Sequence, residues 1–188
     1  MLKYIQGKVQ NIQKLNEQEH LRCTISSIIA FSTLRLVEIH IASVVQLENN
    51  VQQLNISIWN GNNCNLTATF RHIFNPKVCP TARFQSWLTL RKKDDLDQCL
   101  CWRVKNIKVL SYEYLSKAVY QVICAAGVQK ENSIPTIRKS WITKCIDLEA
   151  TIQEFNKESR HKDGPNTVAV NYDMNLKDTI RERVPNFE

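Results

Sequence analysis

The residues best suited to chemistry in this chain of 188 residues are tryptophans that alternate with basic side chains. If residues 83–92 form an extended strand, Trp87 shares one face with Arg83 and Arg91. Aromatic rings stack on the bases of single-stranded nucleic acid, and flanking cations hold the phosphates. The candidate nucleic-acid-binding residues, on the outward faces of three predicted strands, are Trp59, Arg83, Trp87, Arg91, Arg103 and Lys105.

Positive charge is concentrated in the same part of the chain. Residues 71–108 hold nine Lys or Arg and three Asp, a local net charge of +6 in a protein whose formal charge is +7. A basic surface favours an acidic partner, with nucleic acid the first candidate. The alternative is that Trp59 and Trp87 pack under the N-terminal segment or a long helix, while the charges only solvate the surface.

The clearest element that could position these residues is a β-hairpin over residues 54–70. Apolar and polar residues alternate on both sides of Asn60-Gly61, and Asn-Gly is the strongest short hairpin signal. The alternation continues over residues 37–47, 83–92 and 99–110, which predicts three further strands. Residues 71–80 are predicted as a short helix or loop, because Pro76 and Pro80 interrupt them.

Helical spacing replaces the alternation in the second half of the chain. Ser111 is a plausible N-cap for a helix over residues 112–126 that ends at Gly127. Apolar residues at steps of three and four predict a long amphipathic helix over residues 137–155. Residues 2–15 fit a helix or a bent strand, and the sequence leaves that choice open.

Five strands, a short helix after the third and a closing helix follow the order of an OB-fold barrel. The segments LNISIWNGNNCNLTATF and CLCWRVKNIKVL resemble strands of telomere-type OB-folds, including the telomerase-recruiting shelterin subunit, its telomerase-associated counterparts and the replication protein A group. The expected fold class is therefore mainly β with α. The expected divisions are an N-terminal segment (1–34), the barrel with its capping helix (35–126), the long helix (127–159) and a polar tail that binds a partner (160–188).

Several other functions lack support in the sequence. Four glycines in the whole chain leave no glycine-rich phosphate loop. Cys99, Cys101, Cys79 and Cys64 could offer thiolates to zinc, but their spacing departs from structural zinc patterns. No nucleophile or metalloenzyme signature is present, so the sequence predicts neither catalysis nor a cofactor. No apolar run is long enough to cross a membrane.

The resemblance implies a non-catalytic OB-fold subunit of a telomerase, telomere or other DNA-maintenance complex, located in the nucleus. Its partner would be a larger protein or ribonucleoprotein complex, bound through one stripe of the long helix. The expected partner-binding residues are Trp141, Leu148, Ile152 and Phe155. The alternative is direct binding of single-stranded DNA or RNA through the tryptophans and basic strands.

Overall fold

A computed structural model describes residues 1–46, 52–58, 64–90, 100–103, 108–129 and 133–148, and helices hold more of these residues than strands do. The helices are α1 (Leu2–Val9), α2 (Glu17–Ala30), α3 (Leu36–His40), α4 (Pro80–Leu88), α5 (Tyr112–Ala125) and α6 (Ile134–Asp147), with a 3₁₀ turn at Ile12–Lys14. The strands are β1 (Ser43–Gln46), β2 (Gln52–Ile58), β3 (Cys64–Phe70), β4 (Trp102–Arg103) and β5 (Lys108–Val109).

Helix α2 lies at the centre of the fold and contacts α1, α4, α5 and α6. It begins with a capping box: Asn16 Oδ1 accepts the Glu19 backbone N–H at 2.9 Å, and Glu19 Oε2 accepts the Asn16 N–H at 3.2 Å. These bonds satisfy donors that a helix start otherwise leaves unpaired. From Leu21 onward every residue of α2 except Arg22 is buried. From Leu21 onward, α2 is therefore buried among the helices that pack around it.

The predicted hairpin is confirmed, because β2 and β3 pair antiparallel with Leu54 opposite Ala68 and Ile58 opposite Cys64. Strand β1 pairs antiparallel with the other edge of β2, so the sheet has the order β1-β2-β3. The hairpin loop at residues 59–63 lies outside the described residues.

The predicted five-stranded barrel is wrong. Residues 83–88 belong to helix α4, which begins with Pro80 at a position where a missing backbone N–H costs nothing. Phe84 and Trp87 are both 0% exposed, three residues apart on the buried face of that helix. Alternation over residues 83–92 concealed this helical period.

The other two predicted strands also break up. Residues 37–40 lie in α3, where Leu36 and Ile39 are buried at helical spacing, and only Ser43–Gln46 are extended. Residues 102–103 pair antiparallel with residues 108–109, so these parts of the predicted strand over 99–110 belong to two strands. The described strands form a three-stranded sheet and a separate two-stranded ladder.

The helical predictions fare better. Ser111 Oγ accepts the Tyr114 backbone N–H at 3.2 Å at the start of α5, and Gly127 has φ +72° just beyond its end. Helix α6 confirms the start of the long helix, but it ends at Asp147, and residues 149–155 lie outside the described part. Residues 2–9 are helical, which decides the open choice there. No described helix is long and apolar enough to cross a membrane.

Candidate functional site

A cavity of about 690 Å³ lies between α3, α5 and α6. Each helix contributes residues from its own turns or from the residues just before it. The lining residues are Leu34, Arg35, Leu36 and Val37; Tyr112, Ser116, Lys117 and Tyr120; and Ser133, Ile134, Pro135 and Arg138. The cavity thus joins three stretches of chain that are far apart in sequence.

Three of the lining side chains are cationic, one from each helix. Arg35 is the N-cap residue of α3, Lys117 lies in the middle of α5, and Arg138 lies in the second turn of α6. Arg35 and Lys117 are exposed, whereas Arg138 is only 9% exposed. No Asp or Glu is among the described residues that line the cavity. The side chains that line the cavity therefore give it a positive potential, which favours an anion.

The start of α6 adds to this positive potential. Ser133, the N-cap residue, and the first-turn residues Ile134 and Pro135 line the cavity directly. The Ser133 backbone N–H donates to Thr136 Oγ1 at 3.3 Å. The N-terminus of a helix of this length carries about half a positive charge from its aligned peptide dipoles. The cavity therefore combines charged side chains with a helix end that favours anions.

The position of Arg35 is set by its own helix. The Arg35 backbone N–H donates to Glu38 Oε2 at 2.6 Å, and Glu38 is buried. This bond caps the start of α3 from within the helix. The arginine backbone is thereby fixed where α3 enters the cavity wall.

The remaining wall is apolar and aromatic. Tyr112, Ser116 and Tyr120 follow each other at steps of four along α5, which places them on one face of that helix. Tyr112 is 46% exposed, Tyr120 41% and Val37, across from them on α3, 49%. The cavity could therefore hold an anionic group together with a less polar neighbouring group.

Of the predicted nucleic-acid-binding residues, the structure describes Arg83, Trp87 and Arg103. Trp87 is fully buried and its Nε1–H donates to the Leu100 carbonyl at 3.3 Å, so it offers no stacking surface. Arg83 is buried on the same helix and donates from Nη2 to the Pro76 carbonyl at 3.3 Å. Arg103 lies in β4. Trp59, Arg91 and Lys105 lie outside the described residues.

The predicted partner-binding stripe divides in a similar way. The Trp141 ring meets the Phe31 ring edge-on, with centroids 5.5 Å apart, so it packs within the chain. Leu148, the C-cap residue of α6, is 68% exposed. Ile152 and Phe155 lie outside the described residues.

Within the described part of the chain, no group of three or more His, Cys, Asp or Glu is placed to hold a metal ion. Of the thiols considered for zinc, Cys79 and Cys101 are buried at separate places in the fold. The Cys79 thiol forms a hydrogen bond with Thr81 Oγ1 at 3.0 Å, and the Cys101 thiol donates to the Ile39 carbonyl at 3.4 Å. Cys99 lies outside the described residues.

Among solved structures, two XerH site-specific recombinase complexes and XerA recombinase resemble this chain. XerH bound to palindromic difH substrate, a post-cleavage complex, gives a TM-score of 0.63 at 17% identity over 85% of this chain. XerA gives 0.61 at 16% identity over 91%, and a pre-cleavage XerH complex with difH gives 0.61 at 17% identity over 85%. The chain shares its fold with site-specific recombinases. It spans 44%, 62% and 45% of those three chains, respectively. No family model and no curated protein matches the sequence.

These comparisons correct the functional expectations as well as the fold. The neighbours are recombinases and not telomere or replication protein A OB-folds, so the predicted family resemblance is wrong. The expectation of a non-catalytic subunit is overturned too, because the proteins that share this fold are enzymes. Single-strand binding through a barrel groove loses its basis together with the barrel.

Sequence reasoning missed the three cavity cations. Arg35 belongs to no predicted site, and Lys117 and Arg138 fall within the two predicted helices without any mark of a binding residue. The local signal at Arg35 is Glu38 three residues later, which is the spacing of a side-chain cap. Nothing local connects residues 35, 117 and 138, since only the packing of three helices brings them to one cavity.

Proposed function

We propose that this chain binds DNA and carries out phosphoryl transfer on it, as part of a site-specific recombinase. The observation that carries the proposal is the convergence of Arg35, Lys117 and Arg138 on one cavity that no described carboxylate lines. The shared fold with XerH and XerA supports DNA as the substrate class.

The cavity suits a phosphodiester for reasons of charge and geometry. Cleavage of a phosphodiester builds negative charge on the non-bridging oxygens, and fixed cations stabilise that charge. Arginine remains protonated at every relevant pH and can donate two parallel N–H bonds to phosphate. Arg35 and Arg138 are therefore the candidates to clamp the phosphate, with Lys117 as a third positive charge.

The reaction also needs a nucleophile. In a strand transfer, a hydroxyl oxygen attacks phosphorus, the bond to one sugar oxygen breaks, and the proton passes to that leaving oxygen. Tyr112 and Tyr120 line the cavity, and Tyr172 follows later in the sequence. These three tyrosines are the candidates for a covalent link to DNA.

The first arm of the test measures binding of a fluorescent DNA duplex by anisotropy over a range of salt concentrations. We expect Arg35→Ala to weaken binding about tenfold, equivalent to about 1.4 kcal/mol, and to lower the salt slope by about 1. Arg138→Lys keeps the charge of a buried site but loses the paired N–H geometry, so it should weaken binding as well. Arg71→Ala is the matched control, because Arg71 is exposed and does not line the cavity.

The second arm looks for the covalent intermediate. A set of duplexes is prepared from a sequence that the protein binds, and each duplex carries a nick next to a different phosphate. Cleavage at that phosphate releases a short fragment. The fragment diffuses away, so that the covalent adduct cannot revert. We expect a protein–DNA band on a denaturing gel that disappears when one of Tyr112, Tyr120 or Tyr172 is changed to Phe. Equal binding by the wild type, Arg35→Ala and Arg71→Ala would contradict the assigned cavity. Binding without any adduct would leave a DNA-binding protein and contradict the enzyme.

A further inference from the structure

Two of the helices that form the cavity, α3 and α5, are joined by one histidine. His40 is the last residue of α3, and its Nε2 lies 2.7 Å from the carbonyl oxygen of Leu110. Since a carbonyl can only accept, Nε2 carries the proton and donates it. Leu110 directly precedes Ser111, the N-cap residue of α5. The hydrogen bond therefore connects the end of α3 to the start of α5.

The same ring also touches the cavity lining. The rings of His40 and Tyr112 meet edge-on, with centroids 6.2 Å apart and planes at 78°. Tyr112 is a lining residue, while His40 is not. His40 thus lies directly behind the cavity wall and holds one of the residues that form it.

Helix α3 is so short that the His40 contacts at its C-terminal end also influence the position of its N-terminal end. It has five residues, Leu36–His40, or about 7.5 Å of helix, with Arg35 immediately before its first residue. Backbone bonds also hold its C-terminal side, since the Leu100 N–H donates to the Ala42 carbonyl at 2.9 Å. Helix α3 also packs against α5 through the main core, where Ile39 shares a cluster with Leu115, and the two contacts made by His40 add a directional link to the start of α5. A rotation of α3 about its end would displace Arg35 relative to Lys117.

We propose that His40 is a positioning residue, which sets the distance between Arg35 and the α5 wall and thereby the affinity of the cavity for a phosphate group. The inference rests on the proposed function, because it assigns a role to a residue behind that same site. The role needs a hydrogen-bond donor at the Nε2 position.

Two amide substitutions separate this role from simple packing. In His40→Gln the side-chain N–H₂ can occupy the place of Nε2, whereas in His40→Asn the amide is one bond shorter and falls short of Leu110. The two variants are matched in polarity and hydrogen-bonding groups. His40→Ala removes both the donor and the ring.

The experiment uses the full chain and a labelled DNA duplex, at a temperature where circular dichroism shows each variant folded. We expect His40→Gln to bind within about threefold of the wild type, and His40→Asn and His40→Ala to bind about tenfold more weakly, or about 1.4 kcal/mol. Unchanged binding in all of them would overturn the proposal. An equal loss in the Gln and Asn variants would also overturn it, because the Leu110 bond would then not be what matters.

A second readout keeps this inference separate from the question of DNA. The Arg35 Nε–H signal is followed by NMR in the ¹⁵N-labelled chain during titration with inorganic sulfate. We expect the signal to move in the wild type and in His40→Gln at lower sulfate concentrations than in His40→Asn. If DNA binding fails in every variant but this order holds, the proposed function is wrong and the role of His40 stands. If the sulfate response is the same in all variants, the positioning role is wrong.

Discussion

Cys23 lies on the side of α2 that faces the N-terminal helix, in a small apolar cluster with Ile5, Val9, Val78 and Val122. It is 4% exposed, and burial raises the pKa of its thiol to about 11, against the opposing effect of the Arg83 guanidinium. The neutral thiol is therefore the form that the folded state favours. The same group in the unfolded chain loses its proton at a pH of about 8.5.

This difference predicts a loss of stability in alkaline solution. The pKa of the Cys23 thiol is higher in the folded state than in the unfolded state. The stability that the buried neutral thiol contributes is therefore complete below about pH 8.5 and disappears as the pH rises through about 11. We expect the free energy of unfolding to fall by about 3 kcal/mol over that window. Urea denaturation at several pH values measures it. Cys23→Ala is the control for the titration of lysines and tyrosines, and a curve identical to that of the wild type would contradict the prediction.

Trp87 shows why single residues were misplaced by sequence reasoning. A tryptophan with an arginine four residues away on either side fits one face of a strand, and it fits one face of a helix over about two turns equally well. The structure has the helix, with Trp87 beside Phe84 in the main core. Apolar residues at 84, 87 and 88 carry the helical period, but the alternation at 84, 86, 88 and 90 masks it within so short a window.

At the scale of elements, the parts that could be predicted are those whose ends are fixed locally. Helix α5 starts where the Ser111 side chain caps it and ends near Gly127, which has a left-handed backbone. Both signals depend only on residues next to the helix end. The hairpin of β2 and β3 is likewise a local structure with its own turn signal. Helix α3 is too short for periodicity to distinguish it, and it forms where Leu36 and Ile39 reach the core.

The cap of α5 gives a prediction at this scale. Ser111 Oγ is the side-chain acceptor for the Tyr114 N–H, and Ser111 is exposed, so its replacement disturbs little else. We expect Ser111→Ala to lower the free energy of unfolding by about 1 kcal/mol. Ser111→Asp keeps an acceptor at the same place and should retain most of that stability. Chemical denaturation compares the three proteins, and equal losses in the Ala and Asp variants would show that the hydroxyl does not act as a cap.

At the scale of the whole molecule, the cavity depends on helix α3 packing beside α5 and α6, which come much later in the chain. Arg35 precedes α3, Lys117 lies on α5 and Arg138 on α6, and α2 contacts both of the longer helices. Trp141 on α6 meets Phe31 at the end of α2, which joins that wall to the central helix. No local pattern contains this arrangement. The site could not be predicted from the sequence, because it is created by packing around α2.

Because α2 lies at the centre of the fold, we expect the described part of the chain to unfold as one unit. Ile28 is 0% exposed on α2, and Ile41 is 47% exposed just after α3, so the same substitution at both positions compares buried with exposed. Ile28→Ala should cost about 2–5 kcal/mol, while Ile41→Ala should change stability by about 0.5 kcal/mol or less. Urea denaturation is followed by far-ultraviolet circular dichroism, which reports the helices, and by tryptophan fluorescence. Because α2 contacts four helices, both signals should shift to lower urea together in Ile28→Ala, with coincident midpoints. If the two transitions separate in this variant while remaining together in Ile41→Ala, then α2 does not couple the helices, and the three walls of the cavity are stable independently of one another.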